Sequence, residues 1–228
     1  KLSRTTFKGY MMKLSKETQA IIKNFASINT NLLLKPGSTL TTVSAARTVF
    51  ATAPVKEDFP IEFGIYDLNE FLAVCSVFGD PDLEFTEKYV TIREGRNSIK
   101  FYAAEQSNLV VASKTIAFPE SHIEFTLPAD SLSALLRSAA ILKVSDVSVI
   151  GDGSRMYISV GNKKTATANN TFELELGETE EEFQVNFNID KFKMLPGSYQ
   201  VSISKKKIAR FKNGGLVYFI AVEADSQI

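Results

Sequence analysis

The sequence predicts an α+β protein of two similar domains, each built from two units of a helix followed by strands. Three observations carry this reading. Short runs rich in β-branched and aromatic residues recur with turn residues between them, which is the pattern of β-hairpins. Glycines in four of these turns fall at positions 37, 95, 153 and 214, at spacings of 58, 58 and 61 residues. A near-constant period points to a repeated unit. A helix-like segment precedes each hairpin and opens near an acid, at Glu17, Asp67, Asp130 and Asp190, where a carboxylate meets the positive end of the helix dipole.

In chain order, the first unit is the helix "SKETQAIIKNFASI" from Ser15 and the strand pair "TNLLLKPGSTLTTVS", turning at Pro36-Gly37. The second opens with the run "PIEFG" and the helix "YDLNEFLAVCSVF" from Tyr66, which Pro81 follows because proline cannot continue a helix. Its hairpin is "YVTIREGRNSIKFYA", turning at Glu94-Gly95. The third is "PADSLSALLRSAAIL" from Pro128, then "DVSVIGDGSRMYISVG" turning at Asp152-Gly153. Flanked by two strand-like runs, "GDGS" reads as a hairpin turn and not as a phosphate cradle. The fourth is "FQVNF", the short "NIDKFKML" and Pro196, then "KIARFKNGGLVYFIAVEA" turning at Asn213-Gly214. Units one and three share a longer helix with a Leu/Ile stripe, and units two and four share a strand-like run before the helix. The expected boundaries are an extension over 1–11, a first domain over 12–111, a connector over 112–125 and a second domain over 126–228. Pro119-Glu120-Ser121 is the polar middle of the connector. "ETEEE" at 178–182 reads as a solvated loop before a strand.

Composition narrows the function. The chain of 228 residues is 44% hydrophobic, enough for a sizeable core. No apolar run approaches the length of a membrane helix, and "KLSRTTFKGYM" lacks the apolar stretch of a signal peptide. It reads as an upstream extension or expression remnant, with Met12 the expected start. Basic and acidic residues balance at 26 each; without Lys1, Arg4 and Lys8 of the extension, 23 stand against 26, a net of −3. Any affinity for nucleic acid must then come from how charge is arranged. One cysteine, Cys75, and one histidine, His122, make neither a disulfide framework, nor a zinc set, nor a thiol–imidazole pair. Cys75 in "FLAVCSVF" reads as a small core residue and His122 in "PESHIEF" as a surface one. No phosphate-binding loop is present, so no catalytic residue, cofactor or metal is expected.

The helices carry the one charge pattern that stands out. At roughly 100° per residue from Lys13, Leu14, Ile21, Ile22, Phe25 and Ile28 fall between about 60° and 180°, while Lys16 and Lys23 fall near 300° and 280°. Ala20, Asn24 and Ser27 lie between the lysines. In the third helix Arg137 points away from an arc of Leu132, Leu135, Leu136, Ala139 and Leu142, with Lys143 at its end. The fourth carries Lys191 and Lys193, and only the second lacks a base. Lysines opposite an apolar stripe are also what any solvated helix shows. A β-rich structural or assembly protein whose lysine faces are merely solvated is therefore the rival reading.

"MKLSKETQAIIKNFASIN", "IYDLNEFL", "LPADSLSALLRSAAIL", "KMLPGSYQV" and "AVEADS", in this order from Met12 to the C-terminus, resemble the sliding clamps of T4-like bacteriophages, the DNA polymerase processivity factors. "SAARTVFATAPVKEDF" and the terminal "SQI" depart from the family pattern. The resemblance implies a DNA-clamp fold with sheets outside and helices lining a ring. It implies a homotrimer that encircles duplex DNA without regard to sequence, in the cytoplasm of an infected bacterial host. It also implies an ATP-driven clamp loader, a replicative polymerase held through its C-terminal peptide, and a part in late transcription. By position it makes Lys13, Lys16, Lys23, Arg137 and Lys193 DNA-facing, with Asn24, Lys143 and Lys191 completing the set, and it leaves Ala140 where a further base is expected. Ile116 and Phe118 in the connector are the candidate partner-binding residues.

Overall fold

The computed structural model describes residues 10–162 and 170–228, so most of the expected upstream extension lies outside the described residues. The chain divides into two compact units. One takes the residues up to Arg47 and Ala51–Ser113, the other Thr48–Phe50 and everything from Lys114 onward.

The first unit runs β1 (Tyr10–Met12), α1 (Lys16–Ile28), β2 (Leu32–Leu34), β3 (Gly37–Val43), β4 (Val49–Phe59), β5 (Phe63–Ile65), α2 (Leu68–Ser76), β6 (Asp82–Phe85), β7 (Tyr89–Glu94) and β8 (Asn97–Tyr102). An antiparallel sheet in the order β1-β6-β7-β8 closes one side, with Tyr10 opposite Phe85 and Met12 opposite Leu83. Tyr10 and Met11, assigned to the extension from sequence, thus sit on an edge strand. Leu83, Phe85, Val90 and Ile92 alternate inward and are buried, as are Ile22 and Phe25 of α1 and Leu68 and Phe71 of α2. Phe85 takes Phe59 and Phe63 edge-on, at 6.2 and 5.3 Å between centroids, a favoured aromatic geometry. Gly64 is required by proximity, because a Cβ there would run into the Ala104 carbonyl.

The strand pair expected around Pro36-Gly37 is not a hairpin. β2 pairs with β5, Leu32 opposite Ile65 and Leu34 opposite Phe63, while Gly37 opens β3, whose neighbour is β4. The turn that leads from β3 into β4 is Ser44–Thr48, where Arg47 takes φ 56° and donates its N–H to the Ser44 carbonyl at 2.8 Å. All three β2 leucines are buried, so this strand is covered on both faces. Cys75, expected in the core, is half-buried on α2 beside a cavity of about 90 Å³ lined by Leu14, Leu72, Phe78 and Leu83.

Residues 103–122 carry only a 3₁₀ turn at Gln106–Asn108. The second unit then runs β9 (Ile123–Leu127), α3 (Ala129–Leu142), β10 (Asp146–Asp152), β11 (Arg155–Gly161), β12 (Phe172–Glu178), β13 (Glu182–Asn188), a 3₁₀ turn at Ile189–Lys191, β14 (Tyr199–Ser204), β15 (Ile208–Asn213) and β16 (Leu216–Ala221). Residues 123–125 of the expected connector are therefore already strand. One sheet has the order β12-β11-β10-β13, and β9-β14-β15-β16 forms a second. The hairpins at Gly95, Gly153 and Gly214 are formed as expected. Glu178–Glu182 spans the turn from β12 to β13, as expected for a solvated loop. Phe187, Phe192 and Phe211 meet at 5.5 to 6.4 Å and hold the core. The fourth expected helix is one 3₁₀ turn. Beyond it Phe192 and Met194 are buried and Lys193 exposed, an alternation that suits extended chain.

Candidate nucleic-acid interface

Helix α1 begins after Ser15, whose hydroxyl accepts the Thr18 N–H at 3.2 Å, an N-cap. Glu57 reinforces this start by accepting from the Ser15 N–H and the Thr18 hydroxyl. Burial pushes the Glu57 carboxyl up, but these hydrogen bonds outweigh it and hold it below the usual range. Thr18, Ile22, Phe25, Ala26 and Ile28 are buried, while Lys16, Ala20, Lys23 and Ser27 are exposed with Asn24 half-buried among them. Neither Lys16 nor Lys23 forms an ion pair among the described residues. The face's acid, Glu17, is taken by Lys56 at 3.1 Å. The result is a ridge of two uncompensated cations separated by small and amide side chains.

Lys13 is not on this helix. The cap at Ser15 places it in the segment between β1 and α1, and its ammonium lies 2.5 Å from the Asp80 carboxylate and 4.0 Å from that of Asp82. The hydrogen bond to Asp80 holds the ammonium above its ordinary range. Lys13 thus carries a locally balanced charge.

In the second unit α3 buries Leu132, Leu135 and Ala139 and exposes Arg137, whose Nε donates to the Ser133 carbonyl at 3.4 Å. Lys143 ends the helix in the left-handed region at φ 54°. Lys143 and Lys193 come together on one open groove of about 500 Å³, with Leu136, Ala140, Val144 and Asp190. Lys191 departs from expectation. Its ammonium donates to Glu223 at 2.7 Å and to the Ala221 carbonyl at 3.0 Å, and its side chain is only 16% exposed. It ties the C-terminal segment down and has no charge to spare for a ligand. Local sequence held no sign of this, because Glu223 lies 32 residues away and Asp80 lies 67 residues from Lys13.

Ile116 and Phe118 are half-buried in the connector. The Phe118 ring lies 6.2 Å from Phe219 and 4.5 Å beneath the Arg210 guanidinium. Part of its surface is therefore already spent on holding the connector. His122 is exposed, and its Nδ1 accepts from the Lys205 N–H at 3.4 Å. Among the described residues no three His, Cys, Asp or Glu side chains are grouped to hold a metal ion.

Two uncompensated lysines on one helix face suit contact with anionic groups. Residues 15–112 match the family model of the DNA polymerase processivity factor, and residues 124–224 match that of the gp45 sliding clamp, C-terminal part. The sliding clamp of Vibrio phage KVP40 is 31% identical over 93% of this chain and 100% of its own length. The sliding clamp of Enterobacteria phage T4 is 32% identical over 94% of this chain and 98% of its own length. The chain belongs to the sliding clamp family. Its fold is the DNA-clamp fold. The A. fulgidus PCNA solved with the C-terminal region of FEN-1 superposes at a TM-score of 0.67, covering 95% of this chain and 98% of that one at 15% identity. This clamp is accordingly a processivity factor of a phage DNA polymerase.

Proposed function

We propose that the protein works as a homotrimeric ring that encircles duplex DNA, is opened and loaded by an ATP-driven loader in the infected cell, and tethers the replicative polymerase through its C-terminal peptide beside the connector. A part in late transcription belongs to the same reading. One observation carries it: the exposed α1 face with Lys16 and Lys23 free of ion pairs among the described residues, opposite buried Ile22 and Phe25, in a chain with no net charge. Phosphates repeat along every duplex and hold no base information, so isolated ammonium groups meeting them bind without sequence preference. Lysine suits a moving contact, being a mobile point charge where arginine is a rigid fork. Asn24, Arg137, Lys143 and Lys193 complete the DNA-facing set; Lys13 takes a lesser part and Lys191 a structural one. Enclosure then supplies the residence time that weak contacts do not.

The test is retention on closed circular DNA after loading with ATP and the loader, alongside native mass. The reading expects retention that disappears when the circle is cut, and a species at three times the 25.2 kDa chain mass. A 25.2 kDa monomer at micromolar concentration, or equal retention on cut and closed DNA, contradicts it.

A further inference from the structure

The turn between β14 and β15 reads "KKK", Lys205 to Lys207, and the DNA-facing set makes no use of it. Three-residue hairpin loops place their last residue in the left-handed region, where Gly or Asn is the easy choice. Lys207 occupies that position at φ 60°. Its ammonium donates to the Ser226 carbonyl, and its own carbonyl accepts the Val222 N–H at 3.0 Å. On the other side, the Lys205 N–H reaches His122, whose own N–H donates to the Ile203 carbonyl at 2.8 Å. The turn is therefore stitched to the end of the connector and to the last residues of the chain. Lys205 and Lys206 project from it, both exposed.

The turn also borders a particular face of its sheet. Val201, Ile203, Phe211 and Tyr218 point to the core. Ser202, Arg210 and Phe219, in register across three strands, point the other way, yet Ser202 and Phe219 are buried. Phe50 and the connector's Phe118 both lie against Phe219, at 5.8 and 6.2 Å, and Arg210, which sits over Phe118, donates to the Ser202 hydroxyl at 3.0 Å. Glu124, in register with Ser202, is the acid on this face and accepts from the Ser202 hydroxyl at 3.5 Å, whereas the turn at the end of the strip is basic. None of the three lysines has an ion pair among the described residues, and the nearby Glu223 is engaged by Lys191. Adjacent like charges that the fold leaves unbalanced favour an anionic partner.

We propose that Lys205 and Lys206 are the acid-reading edge of the partner-docking surface: a peptide bearing Asp or Glu lies beside the connector, its apolar side chains on the strip around Phe118 and its carboxylates on this turn. The inference rests on the reading that a polymerase tail docks there. A protein partner is favoured over DNA because the turn belongs to the sheet the connector covers, whereas α3, with Arg137 and Lys143, packs on β11 and β12 of the other sheet. Charges of this kind steer encounter and select partners more than they add affinity.

The test measures binding of the intact protein to a fluorescent peptide of roughly the last dozen residues of the phage's own DNA polymerase, and to the same peptide with every Asp and Glu changed to its amide. Expected is a preference of roughly three- to tenfold for the acidic peptide at low salt. That preference closes at high salt and disappears in the Lys205→Gln/Lys206→Gln variant, whose melting temperature is unchanged. A tail without acids, an absent preference, or a preference that survives in the variant overturns the inference and leaves the docking reading standing. Failure of both peptides to bind overturns the docking reading and the inference with it. A variant that binds the peptides normally but no longer stays on circular DNA assigns the turn to DNA and overturns the inference as well.

Discussion

Lys13 and Lys16 stand three positions apart and differ in whether an acid has claimed them. Asp80 sits 2.5 Å from the Lys13 ammonium, while Lys16 has no ion pair among the described residues. If α1 meets phosphates, Lys16→Gln should lower the salt slope of DNA retention by roughly 0.9 for each phosphate left without its ammonium. Lys13→Gln should change the slope by less than half as much, because its charge is already balanced. Equal effects would contradict that assignment. Cys75 offers a second residue-level test. Burial pushes its thiol up to about 11, so the reactive thiolate is scarce in the folded chain. At about pH 8, reaction with an aromatic disulfide reagent should be roughly a hundredfold slower than in urea. Burial raises the Tyr199 and Tyr218 hydroxyls too. Groups whose folded pKa is raised contribute stability that is complete below their unfolded pKa and lost as the pH climbs toward the folded one. The urea midpoint should therefore hold to about pH 9 and fall between there and pH 11; a midpoint unchanged at about pH 10.5 contradicts this.

Element ends decide more of this fold than element interiors do. Ser15 caps α1 through the Thr18 N–H, so Ser15→Ala should cost about 1 kcal/mol and lower the melting temperature by about 2–4 °C. A loss below about 0.3 kcal/mol would show that Glu57 alone fixes the helix start. The same residue shows where sequence reading stops. The α1 stripe was legible because Ile22 and Phe25 recur at helical spacing, but the wheel ran back to Lys13, past a cap that ends the helix. Three hairpins were legible because glycines mark their turns, as Gly214 does at φ 56°. The first was misplaced because Arg47 takes the left-handed position that glycine usually signals, while Gly37, at φ 110°, begins a strand. The pairing of β2 with β5 joins residues about thirty positions apart through backbone bonds that any side chain permits. The locks on Lys13 and Lys191 are long-range for the same reason, so a list of bases could not sort free from engaged ones.

At the scale of the whole molecule, a chain with 26 bases and 26 acids has no general pull on DNA, so its function depends on where the charge stands. This makes charge reversal on α1 the strongest test of the encircling reading. Lys16 and Lys23 are exposed, outside the core and outside any ion pair among the described residues. Lys16→Glu with Lys23→Glu should therefore change folding stability by less than about 0.5 kcal/mol for each site. A trimer would carry the two wrong charges in every copy, facing the phosphates. Loading and processive synthesis should fall, most at low salt where screening is weakest, and equally on templates of any sequence, since phosphate contacts do not read bases. Lys→Gln at both positions should be milder, because it removes attraction without adding repulsion. Lys35, exposed between β2 and β3, is the control: its reversal changes net charge by the same amount per site and should leave processivity alone. The comparison separates local from global electrostatics. If reversal at Lys35 impairs synthesis as much as reversal on α1, net charge governs the effect. If the α1 reversal folds normally and changes neither processivity nor its salt dependence, α1 does not line the path of the DNA.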